Sequence, residues 1–544
     1  MTPQTVYQRF SETATQWPNN PFMCVLPETA ELYGIEAGEL AYGDALQRIQ
    51  GLVEQYRQAG YGHGHRVGLL LENRPAFFLH WFALNALGVS VVPINADLRA
   101  AELEYLIGHS EMLLAIALPE RHAMLLEAAK AVDSPLAVMA DGDTPPAPAR
   151  PAPLADRQPD SHTECALLYT SGTTGRPKGC ILPNEYFLYC GTWYATRGGY
   201  IKLQEGVERM LTPLPLVHMN AMACSTMGMV QTGGCLIVLD RFHPRSWWDS
   251  VRDSRATIVH YLGVMPAILM KAEASPDDTR HQVRFGFGAG IDRTLHEPFE
   301  ARFGFPLLEG WAMTETGSGG VIQAYEEPRF VGTACFGKEP PEVEVRIVDD
   351  ADNEVAPGQE GELLVRRKGD APRFGFFAGY LKDQAATDEA WAGGWFHTGD
   401  VVRRNEHGYL QFIDRKKNVI RRSGENIAAV EVEAVLLQHP AIKAAAAAAA
   451  PDDVRGDEVL AVIVCAQPPS PQDMQALAQD IVQHGLQRLA YYKVPGYVVF
   501  VDSLPLTATN KIQRGELKKL VPQLLASEHC FDTRAMKKRQ DIPV

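Results

Sequence analysis

The chain has no excess of positive charge. Its 51 lysines and arginines face 66 aspartates and glutamates, a formal net charge of -15 over 544 residues. Nucleic-acid backbones are held by clustered Lys and Arg, so this balance argues against a general nucleic-acid binder while leaving room for a local basic site. Cysteine is sparse and never closely paired: nine residues are scattered from Cys24 to Cys530 with no Cys-x-x-Cys. Such a set reads as free buried thiols in a reducing, cytoplasmic compartment, and it signals no zinc site. The start, Met1-Thr2-Pro3-Gln4, lacks the basic stretch and apolar run of a secretory signal. Long apolar runs are missing too. Residues 77–96 come nearest, but His80, Asn85, Gly88 and Pro93 interrupt them. They predict a buried helix, a stop at Gly88 and a strand over 89–94, and no integral membrane association. No repeat of fixed period is present, which excludes a solenoid.

What is there suits a large layered domain and a smaller one. Residues 42–59 have helical spacing, 67–71 form a short apolar run of buried-strand type, and a helix follows Pro75. Alternating strand and helix patterns imply a mostly parallel sheet covered on both faces. Residues 141–159, rich in Pro and Ala, predict a surface loop. Strand-like runs recur at 235–239, 257–261 and 342–348. The texture changes near Asp414, where a charged turn precedes a compact region of a few helices and strands. The run 444–450 is all alanine and sits between turns. It predicts a strand, with a helix as the rival because polyalanine has poor strand propensity. The tail from Asp532 is polar and basic and predicts disorder.

One segment points to chemistry. Residues 168–179 read Leu-Tyr-Thr-Ser-Gly-Thr-Thr-Gly-Arg-Pro-Lys-Gly. Glycines let backbone N–H groups approach phosphate oxygens, hydroxyls add donors, and Lys178 adds charge. The spacing is not that of the Walker loop. By itself the segment is equally a flexible turn.

The segment closely resembles the signature of the adenylate-forming superfamily of acyl-CoA synthetases, peptide-synthetase adenylation domains and luciferases. Four more segments match in order: Gly310-Trp311-Ala312-Met313-Thr314-Glu315-Thr316-Gly317; residues 394–400, ending in Asp400; residues 414–426, from Asp-Arg-Lys-Lys to Gly-Glu-Asn; and residues 504–512, which contain Lys511. The resemblance spans nearly the whole chain. It implies an α/β fold: a large N-terminal domain, 1–416, with mostly parallel sheets covered by helices plus a β-barrel-like subdomain, and a small mobile α+β C-terminal domain, 417–544.

The resemblance also implies roles. Thr170, Ser171, Gly172, Thr173, Thr174 and Lys178 hold ATP phosphates. Glu315 is a Mg²⁺ ligand together with Thr174, and Thr314 contacts phosphate. Gly288, Ala289 and Gly290 let adenine lie against backbone, in company with Gly310, Ala312 and Met313. Trp311 stands where the family usually has Tyr, and either ring can stack on adenine. Asp400 accepts hydrogen bonds from the ribose diol, and Arg415 contacts ribose and phosphates. Lys417 is the hinge about which the small domain turns between two half-reactions. Ser423, Gly424 and Glu425 line a tunnel for the CoA thiol, with Ser423 replacing the first of a usual glycine pair. Lys511 bridges carboxylate and α-phosphate oxygens as charge moves between them. Asn510 precedes it where the family has Gly, and Asn tolerates the left-handed conformation better than most residues.

His218 matches a position beside the acyl carboxylate, although a satisfied core histidine is the plainer alternative. Trp193 and residues 217–222, 264–265 and 286–288 are candidate walls for the acid. The expected activity is that of an acyl-CoA ligase using ATP, Mg²⁺ and coenzyme A on a carboxylic acid, nearest to bacterial enzymes for short or functionalised acids such as carnitine and crotonobetaine. A freestanding enzyme loading a carrier-protein thiol and a luciferase-like oxygenase are the alternatives. Assembly is not readable from the sequence, and a homodimer stays open.

Overall fold

A computed structural model describes residues 4–170, 176–415, 419–467, 469–470, 472–505 and 512–538, with the side chains of Asp414 and Arg415 left aside. The chain forms two compact units. The first comprises Met1–Ala96, Ile107–Leu168 and Gly179–Asp414, and the second comprises Asp97–Leu106, Tyr169–Lys178 and Arg415–Val544. Ser171, Gly172, Thr173, Thr174, Lys417 and Lys511 lie outside the described residues.

The first unit is built on two sheets whose centres are parallel. One runs Ile322–Gln323, Leu307–Trp311, Phe285–Ala289, Ile258–Leu262, Arg209–Thr212, Cys235–Val238, Pro21–Val25 and Gly38–Ala41. The other runs Gly379–Tyr380, Lys178–Pro183, Glu164–Thr170, Ser90–Pro93, Arg66–Leu70, Leu114–Ala117 and Ala137–Met139. Their inner strands are buried along their length, as continuous apolar runs require. The expected helix–stop–strand over 77–96 is a helix Pro75–Ala86, Gly88 at φ +70° and a strand Ser90–Pro93. No helix among the described residues is long and apolar enough to cross a membrane.

Helices between the sheets join them through aromatic packing. Phe10, on the helix Val6–Gln16, meets Phe22 of the first sheet at 4.9 Å and Phe82 of the Pro75–Ala86 helix at 4.7 Å. A fully buried amide pins the helix Asn184–Thr196 into this core. Asn184 Oδ1 accepts from the Val6 backbone N–H at 3.1 Å and from Asn85 Nδ2 at 2.8 Å. A further five-stranded sheet, from Val343–Val348 through Glu360–Arg367, Phe396–Arg404 and Leu410–Arg415 to Cys335–Gly337, forms the half-barrel part of the fold.

The second unit centres on a six-stranded sheet carrying the helices Ala429–Leu436, Met474–Leu486 and Arg514–Leu525. The alanine run is a strand, Ile442–Asp452, paired antiparallel along its length with Gly456–Cys465. Its partner is rich in Val, Ile and Leu, so long-range pairing overrides weak local propensity. Through Lys538 the tail departs from the expectation of disorder, and the residues beyond lie outside those described. Cys530–Asp532 adds a strand beside Tyr497–Phe500, and Lys537 is buried against Glu458 and within reach of Arg422's field. Burial is the first cause that pushes the Lys537 amine down, to about 7.

A charge triad ties the second unit together. Lys493 Nζ lies 2.6 Å from Glu102 Oε1 and 2.7 Å from Glu431 Oε1, and all three side chains are at most 10% exposed. Glu102 also accepts from the backbone N–H groups of Arg99 and Ala490, each at 2.9 Å. Burial opposes the Lys493 charge, but the two carboxylates outweigh it and raise the amine's pKa. Removing the cation would leave two carboxylates buried together. Lys493→Met is therefore expected to cost about 3–5 kcal/mol, read as a lowered urea midpoint, and adding Glu431→Gln should return part of the loss. A midpoint unchanged in Lys493→Met would show that the triad does not hold the unit.

Candidate active site

In the first unit, the predicted site residues gather where parallel strands end. Arg209–Thr212, Ile258–Leu262, Phe285–Ala289 and Leu307–Trp311 run parallel. Their carboxyl ends lead into His218, Gly263, Gly290 and Ala312 respectively. Ligands of open α/β sheets bind outside such ends, where loops leave the sheet.

Gly288 faces Glu309 in register on the neighbouring strand. A Cβ at Gly288 would stand 2.2 Å from the Tyr261 carbonyl oxygen and 2.8 Å from its ring, so only glycine permits this close approach. Just beyond, the Glu309 carboxylate grips the turn. It accepts from the N–H of Gly290 at 3.1 Å, the N–H of Ile291 at 3.0 Å and the Tyr261 hydroxyl at 3.1 Å. Burial pushes the Glu309 pKa up, and these donors work against that shift. Glu309 was not among the sequence candidates. The signal was present: a lone carboxylate in the buried strand Leu307–Trp311 must find donors.

Asp400 is 1% exposed and joined directly to Trp311, whose indole N–H donates to Asp400 Oδ2 at 2.8 Å. The Thr398 hydroxyl oxygen accepts from the Asp400 backbone N–H at 3.1 Å, and Glu362 accepts from the Gly399 N–H at 2.9 Å. Trp311 thus holds Asp400 in place, a task its sequence position did not announce. A carboxylate accepts about four hydrogen bonds, so the indole does not close Asp400 to a diol.

The Thr314–Glu315 turn is held from two sides. The Tyr186 hydroxyl donates to the Thr314 carbonyl at 3.0 Å, and the Tyr380 hydroxyl donates to Glu315 Oε1 at 3.0 Å. The Phe377 N–H closes on the Glu315 carbonyl at 2.9 Å. Burial raises the pKa of both tyrosines, so each remains a neutral donor. Gly317, at φ +50°, lets the Tyr186 ring and the Gly375 carbonyl approach to within 2.6 Å of where a Cβ would sit.

His218 lies in the turn before a π-helical stretch, Asn220–Ser225. Such stretches are rare and concentrate at functional sites. Beneath it is a second histidine, fully buried His260. Its Nε2 accepts from the Tyr194 hydroxyl at 3.0 Å. Its Nδ1 lies 2.7 Å from Asn220 Oδ1 and 2.9 Å from Ser225 Oγ, which itself donates to the Asn220 carbonyl at 3.1 Å. Asn220 Oδ1 can only accept, so the network assigns the ring proton to Nδ1 and a neutral imidazole. His260 is therefore a satisfied core histidine, and it fixes the stretch that follows His218.

Of the remaining candidates, Thr170 and Lys178 end and begin strands of the seven-stranded sheet, and Ser423, Gly424 and Glu425 belong to the second unit. Thr170 ends the strand Glu164–Thr170 and Lys178 begins Lys178–Pro183, neighbours in one sheet. The glycine segment thus joins two strands, unlike a Walker loop, which runs from strand to helix. Ser423 and Gly424, at φ +50° and +89°, form a two-residue turn between Val419–Arg422 and Glu425–Ala428. Positive φ at both positions is the hairpin geometry that a glycine pair would satisfy most cheaply. Among the described residues no cluster of three or more His, Cys, Asp or Glu could hold a metal by itself.

Burial holds the His260 pKa down, to about 3. An unfolded histidine titrates near 6.5. The folded state therefore resists a proton that the unfolded state accepts. The stability this gives is complete above about pH 6.5 and falls as pH drops toward 3, by at most about 1.4 kcal/mol per pH unit. His260→Gln should flatten the loss of stability between pH 7 and 5, measured by urea unfolding. Equal slopes in the two proteins would contradict a neutral buried His260.

The model of the AMP-binding enzyme family covers residues 10–381, and that of the AMP-binding enzyme C-terminal domain covers residues 431–511. A sulfoacetate–CoA ligase of Cupriavidus necator is 31% identical over 519 residues, 93% of this chain and 95% of that protein. A crotonobetaine/carnitine–CoA ligase of Salmonella paratyphi B is 28% identical over 498 residues, 88% of this chain and 93% of that one. In fold, the chain resembles an o-succinylbenzoate CoA synthetase of Bacillus subtilis, with TM-score 0.79, 23% identity, and 95% and 98% of the two chains covered. The chain belongs to the AMP-binding enzyme family and is an acid–thiol ligase of the acyl-CoA synthetase kind.

Proposed function

We propose that this ligase activates its acid as an acyl-adenylate at the strand ends of the first unit, with the named residues in the following roles. A carboxylate oxygen of the acid attacks the α-phosphorus of ATP, and pyrophosphate leaves. The CoA thiol then attacks the acyl carbon, and AMP leaves. The observation that carries the site assignment is Asp400, buried at the strand ends and fixed by the Trp311 indole. A fixed carboxylate has the acceptor geometry for a ribose diol.

The other roles follow from placement and charge. The backbone of Gly288, Ala289 and Gly290, whose turn Glu309 grips, receives the adenine. Thr314, Thr170 and Lys178 serve the phosphates, together with Ser171, Gly172, Thr173 and Arg415. Lys511 meets the charge that passes between carboxylate and α-phosphate oxygens. His218 stands beside the acid's carboxylate. The Ser423-Gly424-Glu425 turn serves the thiol half-reaction, and Lys417 is the hinge. The large domain, 1–416, thus carries the nucleotide and the acid, and 417–544 supplies Lys511 and the thiol path.

A magnesium ion fits the donor set at Glu315. Mg²⁺ takes hard oxygen ligands and is commonly held by one or two carboxylates with substrate phosphates rather than by a protein cage. Glu315 offers a carboxylate whose orientation the Tyr380 hydroxyl sets, with Thr174 the second candidate. When bound, the ion would offset negative charge on the phosphates. The nine cysteines, all unbridged, support a cytoplasmic setting. The relatives named above are CoA ligases, which favours CoA over a carrier-protein thiol or oxygen chemistry.

Lys511→Ala is expected to lower acid-dependent pyrophosphate release by about 100-fold or more. Hydrolysis of a supplied acyl-adenylate analogue should be spared. Release at the wild-type rate would remove Lys511 from the adenylation step.

A further inference from the structure

Deepening the ligase reading on which it rests, we infer that residues 530–538 are a clasp for the hairpin that turns at Ser423 and Gly424. Lys537 is its positioning residue, acting through Glu458 and Arg422, and its loss slows the thiol half-reaction while sparing acyl-adenylate formation. The clasp lies beyond residues 431–511, the reach of the family's C-terminal domain model.

The hairpin is held from one short stretch of chain, residues 452–458. Its strand Val419–Arg422 meets the strand Gly456–Cys465 in register at Arg422, opposite Gly456. The Ser423 N–H donates to the Arg455 carbonyl at 2.9 Å, and the Arg421 N–H donates to Asp457 Oδ2 at 3.0 Å. Arg422 Nε donates to both Glu458 oxygens, at 3.0 and 2.9 Å. The Arg422 and Glu458 side chains are 6% and 0% exposed, so water cannot readily replace either partner. The turn needs such outside bonds. Ser423 holds a left-handed φ of +50°, which is costly for any residue but glycine.

The tail grips the same stretch at two points. Cys530–Asp532 pairs with Tyr497–Phe500, and Thr533 extends the attachment. Its N–H donates to the Gly496 carbonyl at 2.9 Å and its hydroxyl to the Pro495 carbonyl at 3.0 Å. Arg534 then pairs with Asp532 at 2.6 Å and reaches Asp452 at 3.3 Å, its guanidinium 4.8 Å over the Tyr497 ring. The Asp452 carboxylate also accepts the N–H groups of Val454 and Arg455, at 3.0 and 2.8 Å. Arg534 thus steadies the turn whose Arg455 carbonyl holds Ser423. The second point is Lys537, brought in by the single helical turn Arg534–Met536. Its Nζ pairs with Glu458 Oε1, and 1% of its side chain is exposed. Gly496 makes the room, since a Cβ there would stand 2.4 Å from Glu458 Cγ. Burial first, and then the Arg422 charge, hold the Lys537 amine down, to about 7, which eases the crowding of two cations on one carboxylate. Removing the Lys537 side chain empties the space beside Glu458. The carboxylate is then free to shift, and Arg422, next to the turn, shifts with it.

The test compares the full-length wild type with Lys537→Met and with Arg534→Gln, which alters an exposed side chain and serves should Lys537→Met fold poorly by circular dichroism. Hydrogen exchange read by mass spectrometry needs no substrate. Amides of residues 421–428 should exchange about 10-fold faster or more in Lys537→Met, while the helix Met474–Leu486 exchanges as in wild type. The proteins are then assayed with ATP, CoA and a panel of straight-chain acids, benzoate and compact acids carrying a second charge. On the acid used fastest, the pyrophosphate burst without CoA reads the first half-reaction, and thioester formation reads the second. Lys537→Met should keep the burst rate within about 2-fold and lower kcat/KM for CoA by about 10-fold or more, with Arg534→Gln moving the same way by less. Hairpin exchange unmoved in whichever variant folds, or both half-reactions slowed alike, overturns the clasp and leaves the ligase reading intact. Neither pyrophosphate nor thioester from wild type with any of the acids overturns the ligase reading, and the exchange experiment still decides whether the tail holds the hairpin.

Discussion

A carboxylate buried inside a parallel sheet must be surrounded by donors, and at Glu309 those donors are the backbone of the site. Its oxygens take the N–H groups of Gly290 and Ile291 from the turn after one strand and the Tyr261 hydroxyl from the next. Three adjacent strands are thereby locked at their carboxyl ends. The turn that carries Gly290 leaves from that edge, as does Trp311, which meets Asp400 of the five-stranded sheet. Gly288 lies buried against Tyr261, Gly290 follows in the turn after its strand, and the Trp311–Asp400 pair begins one residue beyond Gly310 on the next strand. Losing Glu309 would leave two backbone donors without their acceptor in a place with little water.

Positioning residues support the groups assigned to substrate. Tyr186 and Tyr380 hold the Thr314–Glu315 turn, Trp311 holds Asp400, and His260 holds the stretch after His218. Each is a ring whose apolar body sits in or against the core while its polar atoms hold a neighbouring segment in place. This suits a reaction in which anions must be brought together, because fixed dipoles need little reorganisation when charge moves. Burial keeps the tyrosines and His260 neutral, so they act as donors and acceptors of settled polarity across the working pH range.

Trp193 stacks toward Phe287 from one helix while Arg197, one turn further along the chain, covers its outer face. Gly310 leaves room for Phe287 below the motif. A motif glycine thus serves packing.

The sequence by itself determined the family, the mostly parallel α/β architecture and the identity of the motif residues, because those depend on local patterns: apolar runs, glycine spacing and ordered short segments. Asp400 and Glu315 were legible in this way. Tertiary structure decided what no local pattern carries. Glu309 and His260 acquire their roles only from partners brought in from other strands and helices. Trp311 proved to be the holder of Asp400 from 89 positions away in the chain. The alanine run became a strand only because Gly456–Cys465 offers it a complete ladder. The basic tail was folded through Lys538 because Cys530–Asp532 finds a sheet edge and Lys537 finds Glu458. In each case the deciding energy is a contact between residues distant in the chain, and that is written in the fold, not in the neighbourhood of either residue.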